Sequence, residues 1–500
     1  MDQFLHGAAQ LLTDPTGLMI FVGGLLGGML FGAIPGVNML TLGAVILPFT
    51  AAMTATHAIM LYAVIYCSGV FGGAITAILF NIPGSPENAP TCFDGYPLAQ
   101  KGEAGKAVGA AVSCSAAGGL ASTILMMAAT PLIAGWAVRA FGPPEIFALI
   151  CFGLSVAAAV GAENLFKGWL SVLLGLLLAT VGSDPADGIA RFSFGSYYLL
   201  AGIDFIPLIL GLFAVSEVLT QGQRMIVEGM RRVRVGLDFP SLAEFWALRV
   251  TIVRSMGLGF FAGVLPGIGA TLAAFLSYNE AVRWSRHPER FGKGELAGVV
   301  ASETANNAAT GAAMIPLLAL GLPGGALTAM MMGVFQLHGM DPGPLVLITS
   351  ADLVWVTFAA MFFANLCILV LGWLQTKTVV HLLRIPFRLL APAILVIATI
   401  GAYALRNLVL DVWVMYLAGI AGFFLRRSGY SIAGIVLGLI LGQIGESSFV
   451  KSMQLLNYDP LRLFTRPITA VLLALAILTV GYNLYQALRT PPSRKETARP

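Results

Sequence analysis

The chain has 500 residues, 58% of them hydrophobic and only 10% charged, with a formal net charge of +4 and a mean hydropathy of +0.86. Such a balance excludes an ordinary soluble globular domain. The basic excess is small and flanks apolar segments, so membrane topology explains it and nucleic-acid binding does not.

In chain order, apolar segments lie near residues 17–33, 39–56, 58–80, 105–137, 144–162, 166–182 and 198–220. No Lys or Arg precedes Lys101, so a basic signal region is lacking and the first helix is expected to be retained. From Gln221 to Glu244 the composition changes to QGQRMIVEGMRRVRVGLDFPSLAE, where Arg224, Arg231, Arg232 and Arg234 suit a cytoplasmic linker beside anionic lipid. Further apolar segments follow near 250–278, 296–320, 350–376, 388–403, 408–425, 430–445 and 467–488, and the tail RTPPSRKETARP is polar and basic. A hydrocarbon core about 30 Å thick takes roughly 20 apolar residues per helix, which gives roughly ten to twelve spans or half-spans. These segments are long and continuously apolar, whereas barrel strands are short and alternating, so the expected class is an all-α polytopic membrane protein.

The chain also resembles itself. LFGAIPGVNML (30–40) matches FAGVLPGIGATL (261–272), and YCSGVFGGAITAILFNIPGS (66–85) matches NNAATGAAMIPLLALGLPGG (306–325) residue for residue in length. Weaker likeness joins 162–183 to 405–429, and the stretch ending near Glu217 to that ending near Glu446. The first half ends against the basic linker, whereas the second needs one more span to reach the basic tail. Equivalent ends therefore face opposite sides if both basic segments are cytoplasmic, the pattern of inverted-topology repeats with broken helices or re-entrant hairpins; a parallel duplication is the alternative. The expected organisation is a first membrane repeat at 1–220, a basic linker at 221–245, a second repeat at 246–450, a final transmembrane region at 451–490 and a polar tail at 491–500.

Each half holds two Pro-Gly breaks: Pro35-Gly36, Pro83-Gly84, Pro266-Gly267 and Pro323-Gly324. Proline removes a backbone donor and glycine accepts positive φ, so each pair favours ending a helix and freeing backbone N–H and C=O groups. In hydrocarbon such groups must be buried in protein or line a watery cavity; a simple kink is the other reading of any single break. Gly24, Gly28, Gly32 and Gly36, spaced by four, give a smooth helix face for close packing or for sliding.

Glu303, Asn306, Asn307 and Thr310 stand at i, i+3, i+4 and i+7, one stripe of a helix, which must face the bundle interior or a cavity. Amides, a hydroxyl and a carboxylate beside a break match the needs of an alkali cation and a carboxylate ligand, and equally those of helix–helix ties. Opposite them, Asn81, Ser85, Glu87 and Asn88 sit against the first-half break. Candidate substrate-binding residues are thus Asn38, Asn81, Pro83, Gly84, Ser85, Asn88, Thr271, Asn306, Asn307, Thr310, Pro323 and Gly324, and a Na+ neighbourhood is placed at Gly36, Asn38, Gly267 and Asn307. Helix N-termini bind carboxylates without a buried Arg, and the scarcity of basic residues in the apolar segments argues for a coupling cation, Na+ or H+.

Enzymatic readings find no support: HExxH, GxSxG, the phosphate-binding GxxxxGK[ST] and any Cys/His constellation are missing, and the five scattered cysteines read as packing residues.

The paired breaks, the stretch YNEAVRWSRHPERFGKGELAGVVASETANNAATGAAMIPLLALGLPGG, the following HGMDPGPL, and VGSDPADGIARFSFG (181–195) resemble the large membrane subunit of the tripartite tricarboxylate transporter family, TctA-like, over essentially the whole chain. The resemblance implies ion-gradient-driven carboxylate uptake across the bacterial inner membrane. It also implies a small TctB-like membrane partner, a periplasmic TctC-like binding protein, and an elevator-like motion. A self-sufficient transporter or channel is the alternative. Gly325 stands where the first-half break has Ser85, so a hydroxyl is missing from one of the two matched positions.

Overall fold

The computed structural model describes residues 2–34, 37–158, 165–184, 187–223, 239–266, 269–382 and 387–489. Gly36, Gly267, the linker arginines at 224, 231, 232 and 234, and the tail from 491 lie outside the described residues.

The described chain is helical throughout, apart from a two-stranded antiparallel ribbon, β1 (Gly182–Ser183) with β2 (Ala190–Arg191). The helices in order are α1 (Asp2–Thr13), α2 (Pro15–Ala33), α3 (Met39–Ile46), α4 (Ala55–Phe80), α5 (Ala89–Gln100), α6 (Ala104–Ala140), α7 (Pro143–Ala157), α8 (Leu165–Ala179), α9 (Phe205–Ile209), α10 (Ser216–Gln223) and α11 (Leu242–Ala247). They continue with α12 (Arg249–Val264), α13 (Gly269–Trp284), α14 (Leu296–Ala312), α15 (Met314–Leu320), α16 (Ala326–Leu337), α17 (Val346–Thr349), α18 (Ala351–Leu382), α19 (Phe387–Arg406), α20 (Val409–Arg427), α21 (Ile432–Leu455) and α22 (Pro467–Arg489). Seven of these among the described residues are long and apolar enough to cross a membrane, and shorter apolar helices of 10–17 residues accompany them. The protein is an all-α polytopic membrane protein.

Local chemistry sets the interruptions. The segment expected at 250–278 is two helices, because Pro266 cannot donate and Gly269 takes φ +65°, a left-handed turn. The segment at 296–320 divides at Ala313, because Pro316 lacks the N–H that would bond the Ala312 carbonyl. Helix α1 has no counterpart among the sequence segments: it is short and half polar, and it packs through Gly7, where a Cβ would stand 2.6 Å from the Trp355 carbonyl group of α18.

The chain forms two compact units, each drawing on both halves of the sequence: unit 1 is Met1–Arg139 with Ile206–Phe423, and unit 2 is Ala140–Phe205 with Phe424–Pro500. In unit 2, α8 and α21 meet at glycines; a Cβ on Gly175 would collide with the Ile435 carbonyl, and one on Gly438 with that of Val172. Glu145, almost fully buried, clamps α7 to α22 by accepting from Arg466 Nε at 2.5 Å and Thr469 Oγ1 at 3.0 Å. Arg191 on β2 grips Glu446 of α21 through both carboxylate oxygens, at 2.5 and 3.0 Å.

Unit 1 contains both copies of the two closely matched motifs, 30–40 with 261–272 and 66–85 with 306–325. Helix α4 is its axis, with all residues from Ala58 to Leu79 buried. Gly24, Gly28 and Gly32 of α2 face α4: added Cβ atoms would meet Leu61 Cδ1, Ser68 Oγ and the Gly69 carbonyl oxygen. The second half repeats the device, with Gly259 and Gly263 of α12 against the carbonyls of Ala305 and Ala309 on α14. The glycine spacing therefore serves packing, which brings backbones close enough for dispersion and weak C–H···O contacts to hold helices that lipid cannot drive together.

Candidate functional site

Helix α14 explains how a membrane protein carries Glu303, Asn306, Asn307 and Thr310. All its residues from Ala297 to Ala312 are buried in unit 1, so the polar stripe faces protein on every side. A buried carboxylate and two amides demand partners, and they find them across the unit.

Glu303 Oε1 accepts from Thr91 Oγ1 at 2.5 Å and Asn88 Nδ2 at 3.2 Å, and Oε2 accepts from Ser115 Oγ at 3.1 Å. One side chain thereby ties α14 to α5, to α6 and to the turn Pro86–Asn88. Asn88 also donates to the Val70 carbonyl of α4 at 3.0 Å and accepts from Ser85 Oγ at 2.8 Å. Asn306 donates to the Glu87 carbonyl at 3.3 Å and accepts from Asn307 Nδ2 at 2.7 Å. Thr310 returns its hydroxyl to the Asn307 carbonyl at 2.8 Å and lies 3.9 Å from Cys67 Sγ on α4. The Asn307 Oδ1 atom is buried without a hydrogen-bond partner among the described residues.

The two helix breaks are built alike. Helix α4 ends at Asn81 in the left-handed region, φ 56°, and α15 ends at Gly321, φ 72°. The next residue closes the end in the same way in both: Ile82 N donates to Thr76 O at 3.4 Å, and Leu322 N to Pro316 O at 3.0 Å. In both, the bond reaches back six positions along the helix, a closure that a residue accepting positive φ makes possible. After each break comes a Pro-Gly pair packed tightly: a Cβ on Gly84 would strike the Gly32 carbonyl oxygen, and one on Gly324 would lie 2.8 Å from Ala313 backbone. Pro323 and Gly324 are buried, while Pro83 is partly exposed.

The copies meet reciprocally. The matched stretches begin at Tyr66 and Asn306 and end at Ser85 and Gly325. Tyr66, buried at the start of the first stretch, places its hydroxyl 3.8 Å from where a Cβ on Gly325 would stand, at the end of the second. Asn306, at the start of the second, holds the Glu87 carbonyl just past the end of the first. Gly269, opening α13, adjoins the same place, its Cα 3.5 Å from that Gly325 Cβ position. The hydroxyl oxygens of Thr271, in the first turn of α13 and partly buried, and of Ser85, whose proton goes to Asn88 Oδ1, neighbour the Glu87 carboxyl group. A seam of hydroxyls, one carboxyl group and freed backbone thus lies where the ends of three elements converge.

Two further candidates have local duties. Asn38 caps α3, its Oδ1 accepting from Leu40 N at 3.0 Å and Thr41 N at 3.1 Å. Asn81 is the exposed left-handed cap of α4. No hydrogen bond joins either to the Glu303 cluster among the described residues. Of the Na+ neighbourhood, Gly36 and Gly267 fall outside the described residues. Sequence reasoning did not single out Tyr66, Thr91, Ser115 or Asn365, the last a buried amide on α18 that donates to Thr123 Oγ1 at 3.3 Å and Met361 O at 2.8 Å. Tyr66 could have been found, since it occupies the position matched to Asn306; Thr91 and Ser115 carry no such signal.

Known proteins place this architecture in a family. Residues 18–437 match the tripartite tricarboxylate transporter TctA family. A relative from Agrobacterium vitis, described as an uncharacterized 52.8 kDa protein in the TAR-I ttuC′ 3′ region, is 37% identical over 484 residues, covering 97% of this chain and 96% of its own. A second from the same organism, described as an uncharacterized protein in the TAR-II ttuC′ 3′ region, is 38% identical over 232 residues, 46% of this chain and 96% of its own. No solved structure matches the chain. The chain belongs to the TctA family of tripartite tricarboxylate transporters and is a multi-pass membrane transporter subunit.

Proposed function

We propose that this chain is the carrier of an ion-gradient-driven uptake system for di- or tricarboxylates in the bacterial inner membrane, supplied by a periplasmic binding protein and assembled with a small membrane subunit. The observation that carries the proposal is the reciprocity of the matched stretches, in which the start of each approaches the end of the other. Such an antiparallel crossing is what inverted repeats produce, and inverted repeats place substrate at broken helices near the middle of the membrane, where alternating access can expose one site to either side. The family match supports the tripartite organisation.

In this reading the carboxylate ligand sits at the seam, against the freed backbone of Pro83-Gly84 and Pro323-Gly324 and the hydroxyls of Tyr66 and Thr271. Asn88, Asn306 and Asn307 hold the two copies in register around it, while Asn38 and Asn81 shape the breaks. Helix ends and hydroxyls recognise carboxylates without a buried Arg or Lys, and a co-transported cation offsets the charge. The test is uptake of radiolabelled citrate, succinate and tartrate into proteoliposomes containing this chain and its small partner. Uptake that requires both an inward cation gradient and the cognate binding protein is expected. Uptake unaffected by the binding protein would favour a self-sufficient carrier, and uptake without any gradient a channel.

A further inference from the structure

The Glu87 carboxyl group lines the seam but has no role in carboxylate recognition. It lies in the turn Pro86–Asn88 after the first-half break and is 8% exposed. Its Oε2 has no hydrogen-bond partner among the described residues, and no Lys, Arg or His pairs with it there. Its neighbours include three oxygen-bearing side chains: Ser85 from its own turn, whose proton goes to Asn88 Oδ1 and leaves the oxygen lone pairs free to coordinate, Thr271 from α13, and Tyr66 from α4. A buried carboxylate persists only if something compensates its charge, and an arrangement of one carboxylate with neutral oxygen donors is what a hard monovalent cation selects. The stripe carboxylate Glu303 is different, since donors already hold both of its oxygens.

We propose that Glu87, with the hydroxyls of Ser85 and Thr271, forms a binding site for Na+ at the seam between the two copies. Ser85 and Glu87 belong to the first-half break and Thr271 to the helix after a second-half break, so the bound cation draws together elements that a moving carrier must separate or join. Its part in coupling rests on the carrier reading above; binding itself does not.

The experiment measures Na+ binding by the purified full chain in detergent, without substrate or binding protein. The midpoint of thermal unfolding is followed as NaCl replaces choline chloride at constant ionic strength. Saturable stabilisation by Na+ is expected, since a ligand bound only by the folded state raises its stability with concentration. Glu87→Gln raises the half-saturating Na+ concentration by about tenfold or more, and Thr271→Ala by roughly threefold, while Asp14→Asn, at the far end of α2's entry, leaves it unchanged. An unchanged half-saturation in Glu87→Gln overturns the proposal, as does a wild-type chain indifferent to Na+. A midpoint that responds to pH and not to Na+, with the response lost in Glu87→Gln, also overturns it and makes Glu87 a proton site. If Glu87→Gln does not fold, Ser85→Ala and Thr271→Ala decide, and unchanged half-saturation in both overturns the site. Because no transport is measured, Na+ binding with failed carboxylate uptake would sink the carrier reading alone, and working uptake with a Na+ response unchanged in Glu87→Gln would sink this site alone.

Discussion

Asn88 and Glu303, 215 positions apart in the chain, meet at 3.2 Å where the first-half turn crosses α14. Thr91 and Ser115 donate to the same carboxylate. Removing it strands three buried donors, each worth about 1–3 kcal/mol when unsatisfied. Glu303→Ala should therefore lower stability by at least about 3 kcal/mol, and Glu303→Gln by less, because one carbonyl oxygen still accepts. Denaturation of the purified chain in detergent measures both. The double variant with Asn88→Ala should lose less than the sum of the single losses, the mark of a shared interaction; simple additivity would show that the cluster is not a unit.

Helix packing gives a second prediction. A Cβ on Gly32 meets the fixed Gly69 carbonyl of α4, one on Gly28 meets the rotatable Ser68 hydroxyl first, and one on Gly23 meets nothing within 4 Å. Gly32→Ala should cost about 1–3 kcal/mol through forced backbone separation. Gly28→Ala should cost less, and Gly23→Ala should be neutral or stabilising by up to about 1 kcal/mol, the helix preference of Ala over Gly. Thermal midpoints in one detergent rank the three; equal effects at Gly23 and Gly32 would refute the close approach of α2 to α4.

These positions also mark how far the sequence carries. Long apolar segments, the four breaks and the matched stretches 66–85 and 306–325 are all visible in composition and spacing, because membrane insertion and helix termination are local physics. The division of 250–278 is one of those four breaks, whereas the division of 296–320 at Ala313 is less visible, since hydropathy does not register a missing N–H at Pro316. The polar stripe on α14 was legible as inward-facing, yet its partners were not. Thr91 and Ser115 sit in helices where a lone hydroxyl more often bonds its own backbone, and only the fold brings them 212 and 188 positions along to Glu303.

A third prediction concerns pH. Glu244 on α11 pairs with Lys106, at the start of α6, and caps its own helix through Ser241; the Lys106 ammonium, foremost, pulls its carboxyl down to about 2. A depressed folded-state value stabilises the fold above the unfolded value of about 4.3, and that contribution disappears as pH falls toward 2. The Glu244 side chain is 38% exposed, so solvent screening limits the pair to no more than about 1 kcal/mol. Glu244→Gln should lower the thermal midpoint slightly at pH 7 and progressively less as pH falls through about 2, with the difference shrinking in high salt. A difference that grows on acidification would contradict the pairing.

The last prediction separates shape from contact at the first-half break. Asn81 holds φ 56°, and its counterpart Gly321 holds 72°, so both positions are selected for a left-handed backbone. If Asn81 serves only as the cap, Asn81→Gly keeps the backbone and should leave stability within about 0.5 kcal/mol and carboxylate uptake near wild type. Asn81→Val forces a β-branched side chain into the same conformation and should cost about 1–2 kcal/mol, with uptake falling alongside. Uptake by proteoliposomes, normalised to folded protein, checks the pair. Should Asn81→Gly fold normally yet lose transport, the amide side chain itself touches the ligand, and the substrate site extends from the buried seam to the exposed end of α4.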